Sequence, residues 1–225
     1  MSEWQALAAD ASAAAPSFVV WKHGDRIARA GGDLDATAAR SDWQAVGQVV
    51  EHWAAELGCI AVVHCPHVPA RLVLVAAGGA VGDALLQVDL VARRPVGAGS
   101  WFDAESVAAA AFVDERGVRR LSPGAEGLLR ALDDPTDAAA RALLDGDRAG
   151  AEAMAEQLGL PRTLLLRAAQ GSSVARVIGA AWPQRELSLQ RYRPCAVTRA
   201  LGQERRAPPE WLDAVRATHE VHDVG

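Results

Sequence analysis

Lysine occurs once in the 225 residues, at Lys22, and every other permanently basic side chain is arginine. Cysteine is nearly as scarce. Cys59, Cys65 and Cys195 are odd in number and form no disulfide framework, so reduced thiols and a cytoplasmic setting are expected. Long apolar runs are missing as well: no stretch reaches the roughly 18 residues that a transmembrane helix needs, so no membrane partner is expected. Residues 1–16 have no basic segment ahead of an apolar one and do not read as a secretion signal. There is no internal repeat, and no low-complexity segment beyond a bias towards alanine.

What is present is ample apolar material, half of the chain, enough for one large or two small cores. The net charge of −5 is unevenly spread. Residues 1–112 carry 12 acidic and 7 basic side chains, whereas residues 113–225 carry 16 of each. Bulk charge therefore does not make the chain a polyanion binder. The surplus of carboxylates lies in the first half, where a cation site would use it.

Periodicity divides the chain into two parts. A short Ala-rich helix is predicted before Pro16, a strand over 18–21 and a second strand over 33–37. Helical spacing of Trp43, Val46, Val50, Trp53 and Leu57 predicts a helix over 43–57, with Ser41 or Asp42 as its cap. Three strand-like runs follow at 59–64, 71–76 and 85–91. Then come a helix over 103–111 and a hairpin over 112–121 around Glu115-Arg116-Gly117. From Pro123 onward helices are predicted at 123–132, 136–144, 148–158, 161–169 and 209–219. The expected class is α+β: a small mixed sheet with its helices over 1–121, followed by an α-helical domain over 122–225.

Residues i and i+2 of a strand share a face, so Asp33 and Asp35 project together while Leu34 turns into the core. Two carboxylates at that spacing repel each other unless a cation lies between them, and oxygen donors of this kind suit Mg²⁺. The alternative is a solvated strand end. Asp89 stands in the apolar run Leu85-Leu86-Gln87-Val88-Asp89-Leu90-Val91. A carboxylate there is costly unless paired or coordinated, the alternative being an edge strand that faces water. Alternation places Phe18, Val20 and Lys22 on one side of the first strand and Val19, Trp21 and His23 on the other.

Gly32-Asp33-Leu34-Asp35-Ala36 and Gln87-Val88-Asp89-Leu90 resemble the nucleotidyltransferase superfamily of the polymerase-beta type, over roughly residues 18–91. That signature comprises a strand, a Gly-Ser phosphate loop opening a helix, an Asp-x-Asp strand and a third Asp on a later strand. The resemblance implies that Asp33, Asp35 and Asp89 are catalytic and hold Mg²⁺, or Mn²⁺ in its place. It implies transfer of a nucleoside monophosphate from an NTP to an acceptor (a small molecule, a protein or RNA), with release of pyrophosphate. The Gly-Ser pair would fall at Gly24, which Asp25 follows, with only seven residues between Asp25 and Asp33. Lys22, His23, Gly24, Arg26, Arg29 and Gly32 are the nucleotide-binding candidates in its place, the basic members meeting phosphates as charged donors. For Arg26 and Arg29 a solvated helix face is the alternative. Loss of the pair also leaves open an inactive fold of this type that binds a nucleotide or a protein.

Other signals are weaker. Cys59, His64, Cys65 and His67 do not match a common zinc spacing. His219 and His222 read as a frayed helix end. Cys195 has no recognisable His-Asn partner, and Gly97-Ala98-Gly99-Ser100 reads as a turn. Arg185, Arg191, Arg193, Arg199, Arg205 and Arg206, with Tyr192 among them, would attract phosphate or RNA, the alternative being a salt-bridged surface.

Overall fold

The computed structural model describes residues 3–24, 34–57, 61–66, 71–77, 86–96, 99–134, 136–170, 197–200 and 203–206. In chain order these form α1 (Glu3–Ala14), β1 (Val19–Val20), β2 (Leu34–Thr37), a 3-10 turn (Arg40–Asp42), α2 (Trp43–Glu56), β3 (Ala61–Pro66), β4 (Arg71–Ala77) and β5 (Leu86–Val91). They continue as β6 (Arg93–Val96), β7 (Gly99–Asp103), α3 (Ala104–Ala109), β8 (Phe112–Val113), β9 (Arg119–Arg120), α4 (Pro123–Asp133), α5 (Ala138–Gly146), α6 (Arg148–Gln157) and α7 (Arg162–Ala169). The strands β10 (Val197–Ala200) and β11 (Gln203–Arg206) complete the set.

The fold is mixed α/β. Among the described residues, nine strands make one sheet in the order β11-β10-β3-β4-β5-β2-β1-β9-β8, and β6 pairs with β7 separately. Two neighbouring pairs, β2–β5 and β1–β9, run parallel; the rest are antiparallel. The first parallel pair follows from connectivity. The chain leaves β2, crosses through α2, and returns along the meander β3-β4-β5 to lie beside its starting strand.

Each face of the sheet covers its own core, and strand alternation decides which side chain enters which. Phe18, Val20, Leu34, Ala36, Val88 and Leu90 pack with α1 and α2, through Leu7, Ala11, Val46, Val50 and Ala54. Val19, Trp21 and Val91 point the opposite way and join Phe102, Leu128, Leu129, Leu144 and Met154. At about 25 cal/mol per Å² of apolar surface, a helix needs such a stripe to stay docked, and Val46, Val50 and Ala54 supply it for α2.

The helices on the second face are capped by residues suited to the task. Ser122 accepts a hydrogen bond from Ala125 N, with Pro123 in the first turn of α4. Asp137 accepts from Ala140 N at the start of α5, and Asp147 from Gly150 N at the start of α6. Helix α4 is buried from Gly124 to Leu132 because α5 and α6 approach its backbone closely. A Cβ on Gly127 would lie 2.5 Å from Leu144 N and 2.6 Å from Ala140 O.

Three expectations need correcting. Asp42 precedes α2 but its side chain makes no cap bond to that helix. Its Oδ2 instead accepts from Ser17 N (2.9 Å) and Ser17 Oγ (2.6 Å), tying the entry of β1 to the entry of α2. The chain beyond residue 122 is not helical throughout. β10 pairs antiparallel with β3 through Val197↔His64 to Arg199↔Val62, and thereby covers what would otherwise be an open sheet edge. The sheet also runs further than expected, since β10 and β11 extend it at one end, while β8 and β9 at the other are the hairpin expected over 112–121. Among the described residues, no helix is long and apolar enough to cross a membrane.

Candidate functional site

Asp35 and Asp89 are register partners on the adjacent parallel strands β2 and β5. Leu34 and Ala36 flank Asp35, Val88 and Leu90 flank Asp89, and all four enter the core beneath α1 and α2. Alternation therefore sends both carboxylates out of the opposite face, from backbones about 4.8 Å apart. Asp89 is almost wholly enclosed, at 1% exposure, and Gln87 on the same face is buried as well. Trp21 N donates to Asp35 O (3.2 Å), extending the β1–β2 pairing by one residue. Trp21, Asp35 and Asp89 thus form one row across three strands.

Lys22 reaches into this row. Its Nζ lies 3.8 Å from Asp35 Oδ1 and 3.5 Å from Asp133 Oδ2 at the end of α4, and 4.5 Å from the centroid of the Trp21 ring. The ammonium is consequently on the face of Trp21 and Asp35, not on that of Phe18 and Val20 as alternation predicts. The reason is that β1 ends at Val20, and by His23 the backbone has turned into the left-handed region, with φ 56°. Beyond the strand end the period of two no longer applies.

The turn that carries Lys22 is held from α4. Glu126 Oε1 accepts from His23 N (2.8 Å), and Glu126 Oε2 accepts from Gly24 N (3.4 Å). Arg130 Nη1 donates to Glu126 Oε1 (3.0 Å) and lies 3.4 Å from His23 Nδ1. Its Nε and Nη2 both reach Asp137 Oδ2, at 3.0 and 2.7 Å. Glu126 and Arg130 are 5% and 9% exposed. Burial alone would pull the Arg130 pKa down, but hydrogen bonds and charge from Asp137 and Glu126 outweigh it and hold the guanidinium above its usual value. Burial pushes Asp137 up, and the Ala140 N–H and Arg130 more than reverse that, leaving its carboxyl below the usual range.

Of the nucleotide-binding candidates, Lys22 lies against Asp35, while His23 and Gly24 are bound through their N–H groups to Glu126. Asp33, Arg26, Arg29 and Gly32 lie outside the described residues, as do Cys59, His67, Gly97, Ala98, Arg185, Arg191, Tyr192, Arg193, Cys195, residues 209–219 and His222. Among the described residues, no three His, Cys, Asp or Glu side chains are grouped to hold a metal ion. Asp35 and Asp89 present oxygen donors on neighbouring strands, which fits the one or two carboxylates that Mg²⁺ takes alongside phosphates and water. Sequence reading did not single out Glu126, Arg130, Asp133 or Asp137. The available signal was the i, i+4 spacing of Glu126 and Arg130, but such pairs more often mark a solvated helix face.

Comparison with known proteins adds no relative: no family model, no curated protein and no solved structure matches the chain.

Proposed function

We propose that the chain is a nucleotidyltransferase in which Asp35 and Asp89, together with Asp33, hold Mg²⁺ or Mn²⁺. It transfers a nucleoside monophosphate from an NTP to an acceptor and releases pyrophosphate. The observation that carries this reading is the register pairing of Asp35 with Asp89 on parallel strands, with Asp89 withdrawn from solvent. A carboxylate withdrawn from solvent beside a half-buried one is an arrangement that a cation would suit. When bound, the metal would polarise the transferred phosphoryl group and offset charge on the leaving oxygen. The chain's own part is to aim two carboxylates from a rigid sheet and to place a compact ammonium beside them. Lys22 would leave Asp35 for the triphosphate, where it offsets negative charge. The small-molecule, protein or RNA acceptor would be selected outside this row, and reduced thiols fit a cytoplasmic setting.

A second reading is an inactive fold of the same type that binds a nucleotide or a partner protein. It is favoured by the 3.8 Å ion pair between Lys22 and Asp35, which already neutralises one of the two carboxylates. Thermal shift with ATP, GTP, CTP and UTP, each with and without Mg²⁺, combined with a pyrophosphate-release assay, separates the two. The first reading requires metal-dependent stabilisation and pyrophosphate release, both abolished in Asp35→Asn while the fold persists. Stabilisation without release leaves the second reading. No response to any NTP with or without metal removes the nucleotide from both.

A further inference from the structure

Two successive backbone N–H groups, those of His23 and Gly24, follow β1 and converge on one carboxylate, that of Glu126. Successive amides in a turn of this kind form a small concavity suited to an anion. Here the anion is part of the chain, and it is itself fixed by Arg130, which is in turn fixed by Asp137. His23 has φ 56°, a conformation that a non-glycine residue keeps only when its surroundings impose it. The Glu126 oxygens and the Arg130 guanidinium are among the groups in contact with it. Lys22 immediately precedes this turn, and its ammonium reaches Asp35 and Asp133 from there.

We propose that Glu126 and Arg130 are positioning residues, which clamp the left-handed turn after β1 and thereby hold the Lys22 ammonium against Asp35. The amides of His23 and Gly24 are committed to Glu126, so among the described residues of this turn the charge offered to an incoming phosphate is that of the Lys22 side chain. The phosphate-facing role of Lys22 rests on the nucleotidyltransferase reading, whereas its positioning by α4 does not. Removing the Glu126 charge should therefore release Lys22 while leaving the sheet and helices in place.

The single lysine makes this directly measurable. Reductive methylation with ¹³C-formaldehyde gives one lysine signal in an NMR spectrum of the whole chain, separate in chemical shift from the terminal amine. In Glu126→Gln with unchanged far-UV circular dichroism, that signal should move by more than its linewidth towards its position in the urea-unfolded chain. Arg130→Gln, which adds no second lysine and removes the fork that joins Glu126 to Asp137, should move it in the same direction and serves if Glu126→Gln does not fold. A Lys22 signal that stays in place in a folded variant overturns the proposal, even if the melting temperature falls, because a purely structural role predicts that result. The signal is read without nucleotide, so this outcome is decided independently of whether the chain releases pyrophosphate.

Discussion

Replacing Arg130 by Met should destabilise the protein by about 3 kcal/mol, the lower part of the range for breaking a buried ion pair from one side. Met fills much of the volume of the Arg stem, so little of the loss comes from packing. What remains is a Glu126 carboxylate at 5% exposure without its guanidinium partner, and an Asp137 without the 2.7 Å and 3.0 Å bonds to Arg130. Two features hold the cost below the top of the range. Glu126 keeps the N–H groups of His23 and Gly24, and the Asp137 side chain is 23% exposed and still caps α5. For a chain of this size the loss corresponds to a melting point roughly 6–12 °C lower. Urea unfolding at neutral pH measures it. The charge argument makes a sharper demand: adding Glu126→Gln to Arg130→Met should recover part of the loss, with a coupling of about 1–3 kcal/mol between the two sites. A loss under about 1 kcal/mol with purely additive effects would refute the view that the buried charges depend on each other.

Three further outcomes are expected. Lys22→Ala should lower turnover by about ten- to a thousandfold, the energy of one electrostatic contact in comparable catalysis read as rate. Lys22→Arg should recover only part of it, because a planar guanidinium aims its donors differently; wild-type kinetics in both variants would count against a role for the ammonium. Gly127→Ala should cost about 1–3 kcal/mol in urea unfolding, since the new methyl meets the backbone of α5 and not a flexible side chain; an unchanged midpoint would mean that α4 and α5 do not approach so closely. Burial raises the Asp114 pKa, but N–H bonds from Arg116 and Val118 and the charges of Arg116 and Arg120 more than offset it, leaving the carboxyl below its usual range. Its stabilising contribution is then fully present above the unfolded value of about 3.9 and is lost as pH falls through the lower folded value. Melting curves should show Asp114→Asn less stable than wild type near neutrality and the gap closing in strong acid; a gap independent of pH would exclude the carboxylate charge as its source.

Where a segment meets one apolar face in regular rhythm, its place was legible from sequence. Val46, Val50 and Ala54 bury one stripe of α2, and Phe18 and Val20 separate from Val19 and Trp21 as a period of two requires. The same rule failed at Lys22 because a strand of two residues had already ended. Asp35 and Asp89 could be singled out as carboxylates in apolar strands, but their register depends on how the meander through β3 and β4 returns, and no local pattern encodes that. Glu126 and Arg130 were illegible for a different reason. Their i, i+4 spacing is indistinguishable from that of a surface ion pair, and only the layer of α5, α6 and the β1 turn around them makes them interior. Arg199, Arg205 and Arg206 stand out in the sequence only for their charge, and no apolar rhythm around them marks the strands β10 and β11 on which they lie.

The parallel pairing of β1 with β9, at Val20↔Arg120, joins points that are far apart along the chain. During synthesis the meander of β3, β4 and β5 can close from neighbouring segments, and β2 can join it soon afterwards. Strand β1 must wait for β9, and the turn at His23 must wait for α4, before either has its full set of partners. Closing a long loop costs entropy that local contacts do not repay in advance. Lys22, next to the end of β1, and Asp35, on its antiparallel neighbour β2, can meet across a short loop, whereas Asp89 comes alongside only when the meander returns through β5. The ion pair of Lys22 with Asp35 is therefore the early element of the row, and the clamp on its turn, which waits for α4, is the late one.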